Sequence, residues 1–399
     1  MNINDTPEEA AFRAEVREWI DKEIPPHLKG LRQEVVMAPE HTNDDFVPIW
    51  EALGRKPGWL APAWPEEVGG AGWNAMQMII YEEEYTRAGI PQNRNMAGIG
   101  NLGPILIKYG TPEQKAKYLG PTMRRDIYWC QGYSEPNAGS DLASLQLRAD
   151  PTEGGWLLNG QKIWTSRAHF AEMMFLLART DPTAKKKQEG ISFFILDMKT
   201  PGITVRPLLT IDDHHHFNET FFENVFVPTE GLVGELNKGW TVAKALLGYE
   251  RFNSVMANPL VHRRATAQIK EAARERSGGN GGVLWDDVAL RRRVAEFEMA
   301  GDALAYTRYR GLTAMARGQQ PGPETQVFKF FGTELFKQVI ELHQLVLGPE
   351  GIAWEDEPFG HETKVVARHA ANIRASSIRG GTTEVQKNVL AKRTLGLPG

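Results

Sequence analysis

The chain has 399 residues with 46 basic and 50 acidic side chains, a formal charge of −4, and 41% apolar and 24% charged residues. That length holds two or three domains around substantial cores, and the composition is that of an ordinary globular protein. The near-balanced charge gives no footprint for nucleic acid, and Lys185-Lys186-Lys187 is short enough for a solvated turn.

The N-terminus has neither the basic nor the apolar region of a leader, and no apolar run approaches the roughly 18 residues of a bilayer span. A cytoplasmic protein without membrane insertion is expected. Residues 1 to about 126 read as helices. Phe12, Val16, Trp19 and Ile20 recur at helical spacing after the capped start Thr6-Pro7-Glu8-Glu9. Met78 to Ala88 is a second helix, on which Glu82-Glu83-Glu84 reads as a solvated face. A Gly/Pro/Asn-rich loop follows, and Thr111-Pro112-Glu113-Gln114 opens another helix, with Thr as cap and Pro in the first turn.

Near Asp126 the texture changes to short apolar runs between turn signals, the mark of an antiparallel β domain. Cys130, the single cysteine, sits in the apolar run Ile127 to Cys130 and reads as a buried thiol; alone it excludes an internal disulfide and a cysteine-built zinc site. Asn159-Gly160, between Trp156-Leu157-Leu158 and Ile163-Trp164-Thr165, predicts a tight hairpin. Strands are expected at Met173 to Ala178, Ile191 to Leu196, Ile203 to Val205 and Thr220 to Val227. Consecutive side chains seldom converge on one ion, so Asp212-Asp213-His214-His215-His216 is not expected to bind a metal. From Gly239 the chain is helical again, over about 239–276, 286–317, 324–347, 361–377 and 384–395, with a loop at Ser277 to Gly282. Four long helices suggest a bundle.

Three segments carry chemistry. In Gly132-Tyr133-Ser134-Glu135-Pro136-Asn137-Ala138-Gly139-Ser140-Asp141 a strand runs into a small-residue loop, where backbone can approach and cradle a diphosphate. Ala138-Gly139-Ser140 alone reads first as an ordinary turn. Gln161-Lys162-Ile163-Trp164-Thr165-Ser166 offers an aromatic beside hydroxyls; alone, Trp164 is equally a core residue of a hairpin. In Ile378-Arg379-Gly380-Gly381-Thr382-Thr383-Glu384-Val385-Gln386, Thr383 and Gln386 predict a capping box that starts a short helix.

Together these segments resemble the acyl-CoA dehydrogenase family over essentially the whole chain. The resemblance implies an α+β fold: an N-terminal helical domain (1–126), a middle antiparallel β-barrel domain (127–235) and a C-terminal four-helix bundle (236–399). It implies FAD as cofactor and an acyl-CoA thioester as substrate. Cofactor contacts would come from Gln131, Tyr133, Ser134, Gly139 and Ser140, then from Trp164, Thr165 and Ser166, and from Gly348, Thr382 and Glu384. Tyr133 departs from the aliphatic residue usual at its place. Many members carry their catalytic glutamate where this chain has Gly380; a subset places it on the first bundle helix, and the match there puts Glu250 at the base position with Arg251 beside it. On a helical wheel Glu250 lies at the edge of the face formed by Val242, Ala245, Leu246, Tyr249 and Met256, and from the helix alone it reads as a half-exposed glutamate paired with a cation. The backbone N–H of Gly380 would still hold the substrate carbonyl.

Trp129-Cys130-Gln131-Gly132 and Asn237-Lys238-Gly239-Trp240 are similar to the bacterial subgroup of pimeloyl-CoA dehydrogenase large subunits and steroid-side-chain dehydrogenases. The Arg that many members extend to a neighbour's FAD has no match in Arg274 to Gly282, and Gln344 is one residue out of the family's register before Gly348. Both a large-and-small-subunit hetero-oligomer and a homo-oligomer with a substitute such as Arg276 fit. An electron-transferring flavoprotein is the implied electron acceptor. An acyl-CoA oxidase or monooxygenase on the same fold, or a non-catalytic subunit, are the alternative functions.

Overall fold

A computed structural model describes residues 5–30, 47–90, 96–252, 259–279, 281–316, 326–355, 357–358 and 361–398. The chain divides into two compact units, one of residues 53–72 and 93–253, the other of residues 1–52, 73–92 and 254–399.

The first unit carries a seven-stranded sheet: β1 (Trp129–Gly132), β2 (Arg148–Thr152), β3 (Gly155–Lys162), β4 (Met173–Arg179), β5 (Ile191–Asp197), β6 (Ile203–Leu209) and β7 (His215–Pro228). The order is β1-β4-β2-β3-β7-β6, with β5 paired to β4. β1 runs parallel to β4, placing Gln131 opposite Phe175, and β2 touches β4 in the same sense. The antiparallel barrel expected from the sequence is thus corrected to a mixed sheet. Period-two patterning reports which residues share a face, and it does not report strand direction.

β4 is apolar from Met173 to Ala178, and β5 from Phe193 to Leu196, because both their faces are covered. Phe175, Leu177, Phe193 and Ile195 join one core with Trp64, Tyr133 and Leu246. The alternate residues Met174, Leu176, Phe194 and Leu196 join another with Cys130, Leu158 and Val225. Helices α4 (Gly103–Tyr109), α5 (Pro112–Arg124) and α6 (Gly239–Phe252) belong to this unit, and α6 buries Val242, Ala243 and Leu246 in the first core. α5 opens on Thr111 as the expected cap, and Gln114 completes a capping box with it. Cys130 is 1% exposed, and burial pushes its thiol well above the usual range.

Asn159-Gly160 does not turn the chain. β3 runs straight through it, with a register shift against β7 and Gly160 at φ +142°. Asn159 accepts the Asn224 amide at 2.9 Å and donates to the Asn224 carbonyl oxygen of the side chain at 3.2 Å. Asn-Gly therefore builds a bulge, which needs the same permissive backbone as a tight turn. The two-residue connection is Glu153-Gly154, where Gly154 has φ +76°.

The second unit is helical. It contains α1 (Pro7–Glu23), α3 (Ala75–Arg87), α7 (Pro259–Glu275), α8 (Val288–Ala316), α9 (Gln326–Leu347), α10 (His361–Asn372) and α11 (Thr383–Arg393); α2 (Val47–Gly54) straddles the division. Ile269, Val294, Phe336, Val339, Ile340 and Val366 form its main core. Of the helix expected over 239–276, the described residues show α6 up to Phe252 and α7 from Pro259, residues 253–258 lying outside those described. α1 has the expected Thr6–Glu9 capping box and buries Val16, Trp19 and Ile20.

The expected solvated face on α3 is corrected. Glu84 is 2% exposed and accepts from Arg13, Arg17 and Arg87 at 3.1, 2.8 and 2.8 Å. Burial pushes its carboxyl up, yet the bonds from Arg17, Arg87 and Arg13 prevail and hold it at about 2. Glu83 bonds Arg13 and the Tyr309 hydroxyl, and Glu82 pairs with the buried Arg308 of α8. Three adjacent carboxylates thus tie α1, α3 and α8 through guanidinium groups. Among the described residues no helix is long and apolar enough to cross a membrane.

Candidate active site

The sequence-expected site residues fall on both units. In the sheet unit, β1 delivers the chain from Gln131, half-buried, into the turn at Ser134 to Ser140. Tyr133 is 5% exposed, its ring edge-on to Phe175 and Phe193, so it can offer a ligand only backbone. The turn closes on itself through reciprocal bonds between Glu135 and Ala138, both 3.0 Å. Gly139 and Ser140 are exposed, and a Cβ at Gly139 would meet nothing within 4 Å.

At the far end of β3 the Ile163 amide donates to the Ser134 carbonyl at 2.9 Å, which brings the second segment against the first. Trp164 follows at φ +59° with its indole 53% exposed, edge-on to Phe217 at 5.8 Å. An apolar ring held outward by a left-handed backbone is a flat platform. Thr165 is fully buried, its amide on the Asn218 carbonyl and its hydroxyl 3.4 Å from Thr220. Ser166, half-buried, is the hydroxyl on the accessible side. Glu250 and Arg251 lie near the C-terminal end of α6; their side chains, like Met256, fall outside the described residues.

In the helical unit, Gly380 and Gly381 are both left-handed, at φ +67° and +93°. The loop is pinned from α9. Lys329 donates to the Ser376 carbonyl at 2.6 Å, and Glu334 accepts from Ser377 at 2.7 Å and Thr383 at 3.3 Å. Lys337 reaches both Glu334 and Ser377, and Arg379 donates to the Ser376 hydroxyl. The cap of α11 is Thr382, which accepts the Val385 amide at 3.1 Å; the expected Thr383–Gln386 box is corrected by one residue, since Thr383 turns to Glu334. Glu384 is exposed in the first turn of α11. Gly348, exposed at φ +63° with nothing within 4 Å of a Cβ, opens a groove with Arg276, Ser277 and Leu345. Gln344 turns back to donate to the Gly351 carbonyl at 3.0 Å, and Arg276 pairs with Glu350 at 3.1 Å.

Two polar features had no assigned role in the sequence. Lys162 is fully buried, and its Nζ donates to the Tyr133 carbonyl at 3.1 Å and to Glu135 Oε1 at 2.8 Å. Burial pushes this ammonium down to about 8 against the upward pull of Glu135. The signal available was a lysine inside a strand and a glutamate inside a loop, both within the segments that resemble the family's motifs. His169 and His215 stack at 3.9 Å, with Asn218 bonded to both rings. His214 instead meets Asp212 at 3.1 Å, and among the described residues no group of three or more His, Cys, Asp and Glu could hold a metal ion.

Three family models match, described as acyl-CoA dehydrogenase N-terminal domain over residues 6–126, middle domain over 130–225 and C-terminal domain over 237–395. The chain is 33% identical over 393 residues to acyl-CoA dehydrogenase IpdE1 of Mycobacterium tuberculosis, covering 97% of each. It is 37% identical over 348 residues to acyl-CoA dehydrogenase FadE34 of the same organism, covering 86% of this chain and 45% of that protein. Among solved structures, the ChsE4-ChsE5 complex from Mycobacterium tuberculosis superposes with a TM-score of 0.83 at 29% identity over 100% of both chains. The Tcur3481-Tcur3483 steroid ACAD gives the same values.

Proposed function

The chain belongs to the acyl-CoA dehydrogenase family of FAD-dependent oxidoreductases, and from that premise we propose that it introduces an α,β double bond into an acyl-CoA thioester. The residues present fit FAD. The open backbone at Gly139 and Gly348 leaves room for phosphate and ribose, and the outward indole of Trp164 suits a flat ring system. Bound FAD supplies the acceptor for the hydride that leaves the β-carbon.

The chain's own residues do the rest in this reading. A Cα–H bond beside a thioester yields to a positioned carboxylate. Gly380 has no side chain to offer, so we assign the α-proton to Glu250, with Arg251 next to it in sequence. The Gly380 N–H is assigned to the thioester carbonyl, where a preorganised donor lowers the α-proton's pKa and stabilises enolate-like charge. Trp164, Ser134, Ser140 and Ser166 are assigned to the flavin, and Thr382, Glu384 and Gly348 to the FAD periphery. Tyr133 and Thr165 contribute through backbone only, because their side chains are buried.

The observation that carries the reading is the bond from Ile163 to Ser134. It makes one surface of the two segments the family would use, with Trp164 exposed upon it. We propose further that a second, different subunit completes the enzyme. The similar solved structures named above are of two paired chains, and in this chain Arg276 is engaged by Glu350. The steroid ACAD among them makes a bulky steroid-type acyl group the first class to test, and an electron-transferring flavoprotein is the proposed acceptor.

Anaerobic bleaching of the flavin by a panel of CoA thioesters, with mass spectrometry of the products, tests the function. A product two hydrogens lighter and slow reoxidation in air are expected. Fast reoxidation would replace the dehydrogenase reading with an oxidase. Mass and FAD occupancy of the chain expressed alone test the second subunit: a homo-oligomer with full, tightly held FAD and good turnover would remove it.

A further inference from the structure

We infer that Lys162 and Glu135 form a buried clamp whose task is to hold the Tyr133–Ser140 turn and the Trp164–Ser166 segment in fixed relation as the flavin-facing surface. The inference rests on the reading above that these two segments line FAD. Lys162 ends β3, two residues before Trp164, and Glu135 stands inside the turn. One ammonium therefore reaches two acceptors on the same turn, the Tyr133 carbonyl and the Glu135 carboxylate. The neighbouring bond from Ile163 to the Ser134 carbonyl makes the contact continuous along both strands of chain. Glu135 passes the restraint on: its Oε1 and Oε2 accept the amides of Leu147, at 2.9 Å, and Gln146, where the chain enters β2.

Two other cations hold the same stretch from its outer side. Arg179 donates to the Ala143 carbonyl at 2.8 Å and the Leu145 carbonyl at 3.3 Å, and Lys187 pairs with Asp141. Those two are solvated in part, whereas Lys162 and Glu135 are 0% and 8% exposed. An apolar pair of similar size would fill such a place with no desolvation penalty, so stability is a weak reason for this pair. Geometry is the stronger one. An ammonium with two fixed acceptors, facing a carboxylate with three fixed donors, admits one arrangement of the turn and resists sliding. Lys162 and Glu135 are accordingly positioning residues: they touch no substrate and act through the backbone of Tyr133, Ser134 and Trp164.

The test uses the purified FAD-loaded protein and its Lys162→Met variant, compared by hydrogen–deuterium exchange, by the flavin visible band and by FAD retention on gel filtration. Protection of the Gln146 and Leu147 amides should fall about tenfold or more, the equivalent of one charge-assisted hydrogen bond. The flavin band should shift and FAD should be retained less, while peptides of α9 keep their protection. Glu135→Gln keeps the side chain's shape and an acceptor for Lys162, so it should lie between wild type and Lys162→Met; it also carries the test if Lys162→Met does not fold. Trp164→Ala reports on the underlying reading. If Trp164→Ala perturbs the band while both clamp variants keep normal protection and a normal band, the clamp is overturned and the lining stands. If the clamp variants lose protection with no change in band or retention, and Trp164→Ala is equally silent, the lining fails and the inference with it.

Discussion

The Lys329 side chain lies beside Gly380: a Cβ at position 380 would stand 3.7 Å from Lys329 Cε, an ordinary contact. At Gly381 the corresponding Cβ would stand 2.4 Å from the Gln386 amide nitrogen. Both glycines are left-handed, so an alanine at either meets backbone strain of about 1–2 kcal/mol. Gly380→Ala should lose about that much in urea unfolding. Gly381→Ala should lose more, because Gln386 must also move. Equal losses, or none, would contradict this account of the loop.

Glu250→Gln should retain FAD and bind substrate yet reduce its flavin at least about a hundredfold more slowly, the lower range for loss of a general base. Anaerobic stopped-flow mixing with a thioester that bleaches the wild type reads this directly. A rate near that of the wild type would take the α-proton away from Glu250.

Lys162 gives a pH dependence with a definite sign. In the folded chain burial sets it at about 8, with Glu135 pulling upward. The groups facing it are Glu135 and the Tyr133 carbonyl, with Arg179 of β4 acting on Glu135. An unfolded lysine titrates near ~10.4, so between about 8 and that value the unfolded chain holds the proton that the folded chain has lost. This group's contribution to stability therefore rises with pH across that window. Urea unfolding at about pH 7.5 and about pH 9.5 should show a less positive change in Lys162→Met than in the wild type. An identical change in the two proteins would mean that Lys162 keeps its proton throughout.

Glu84 gives a dependence of the same sign in an acidic window. Its folded value of about 2 lies below the ~4.3 of an unfolded glutamate, so its contribution is complete above the unfolded value and is lost as pH falls through about 2. Glu84→Gln should be less stable by about 2 kcal/mol at neutral pH, the scale of hydrogen bonds to charged groups when two of the arginines are half-exposed. Its stability should also fall less steeply between about pH 5 and pH 2. A variant as stable as the wild type at neutral pH would assign the tie between α1 and α3 to packing alone.

Local features were legible in the sequence wherever the interaction is itself local. The Thr6–Glu9 and Thr111–Gln114 caps span three residues each, and both are present. The apolar runs Met173 to Ala178 of β4 and Phe193 to Leu196 of β5 announced strands because burial on two faces favours apolar residues at successive positions. Asn159-Gly160 was legible as permissive backbone and illegible as bulge or turn, since the choice depends on Asn224, 65 residues away. Glu84 looked like any glutamate in an acidic run; its partners Arg13 and Arg17 arrive from another helix. The motifs singled out the segments proposed to line the site, and their spacing could not reveal that Tyr133 and Thr165 turn inward while Trp164 and Ser166 do not. The Lys162–Glu135 pair was hidden for the same reason: a charge inside a strand is informative only once its partner, 27 residues earlier, is seen.

Cys130 has a practical consequence. The only thiol of the chain is 1% exposed, lies 3.8 Å from Met198 Sδ, and is held in its protonated, unreactive form. Alkylating reagents attack thiolate, so the native protein is close to inert toward them. A cysteine introduced at an exposed position such as Ile211 or Ile352 would then accept a fluorophore or spin label alone, with no background residue to remove first. Single-site probes could be placed on either unit without altering a core side chain.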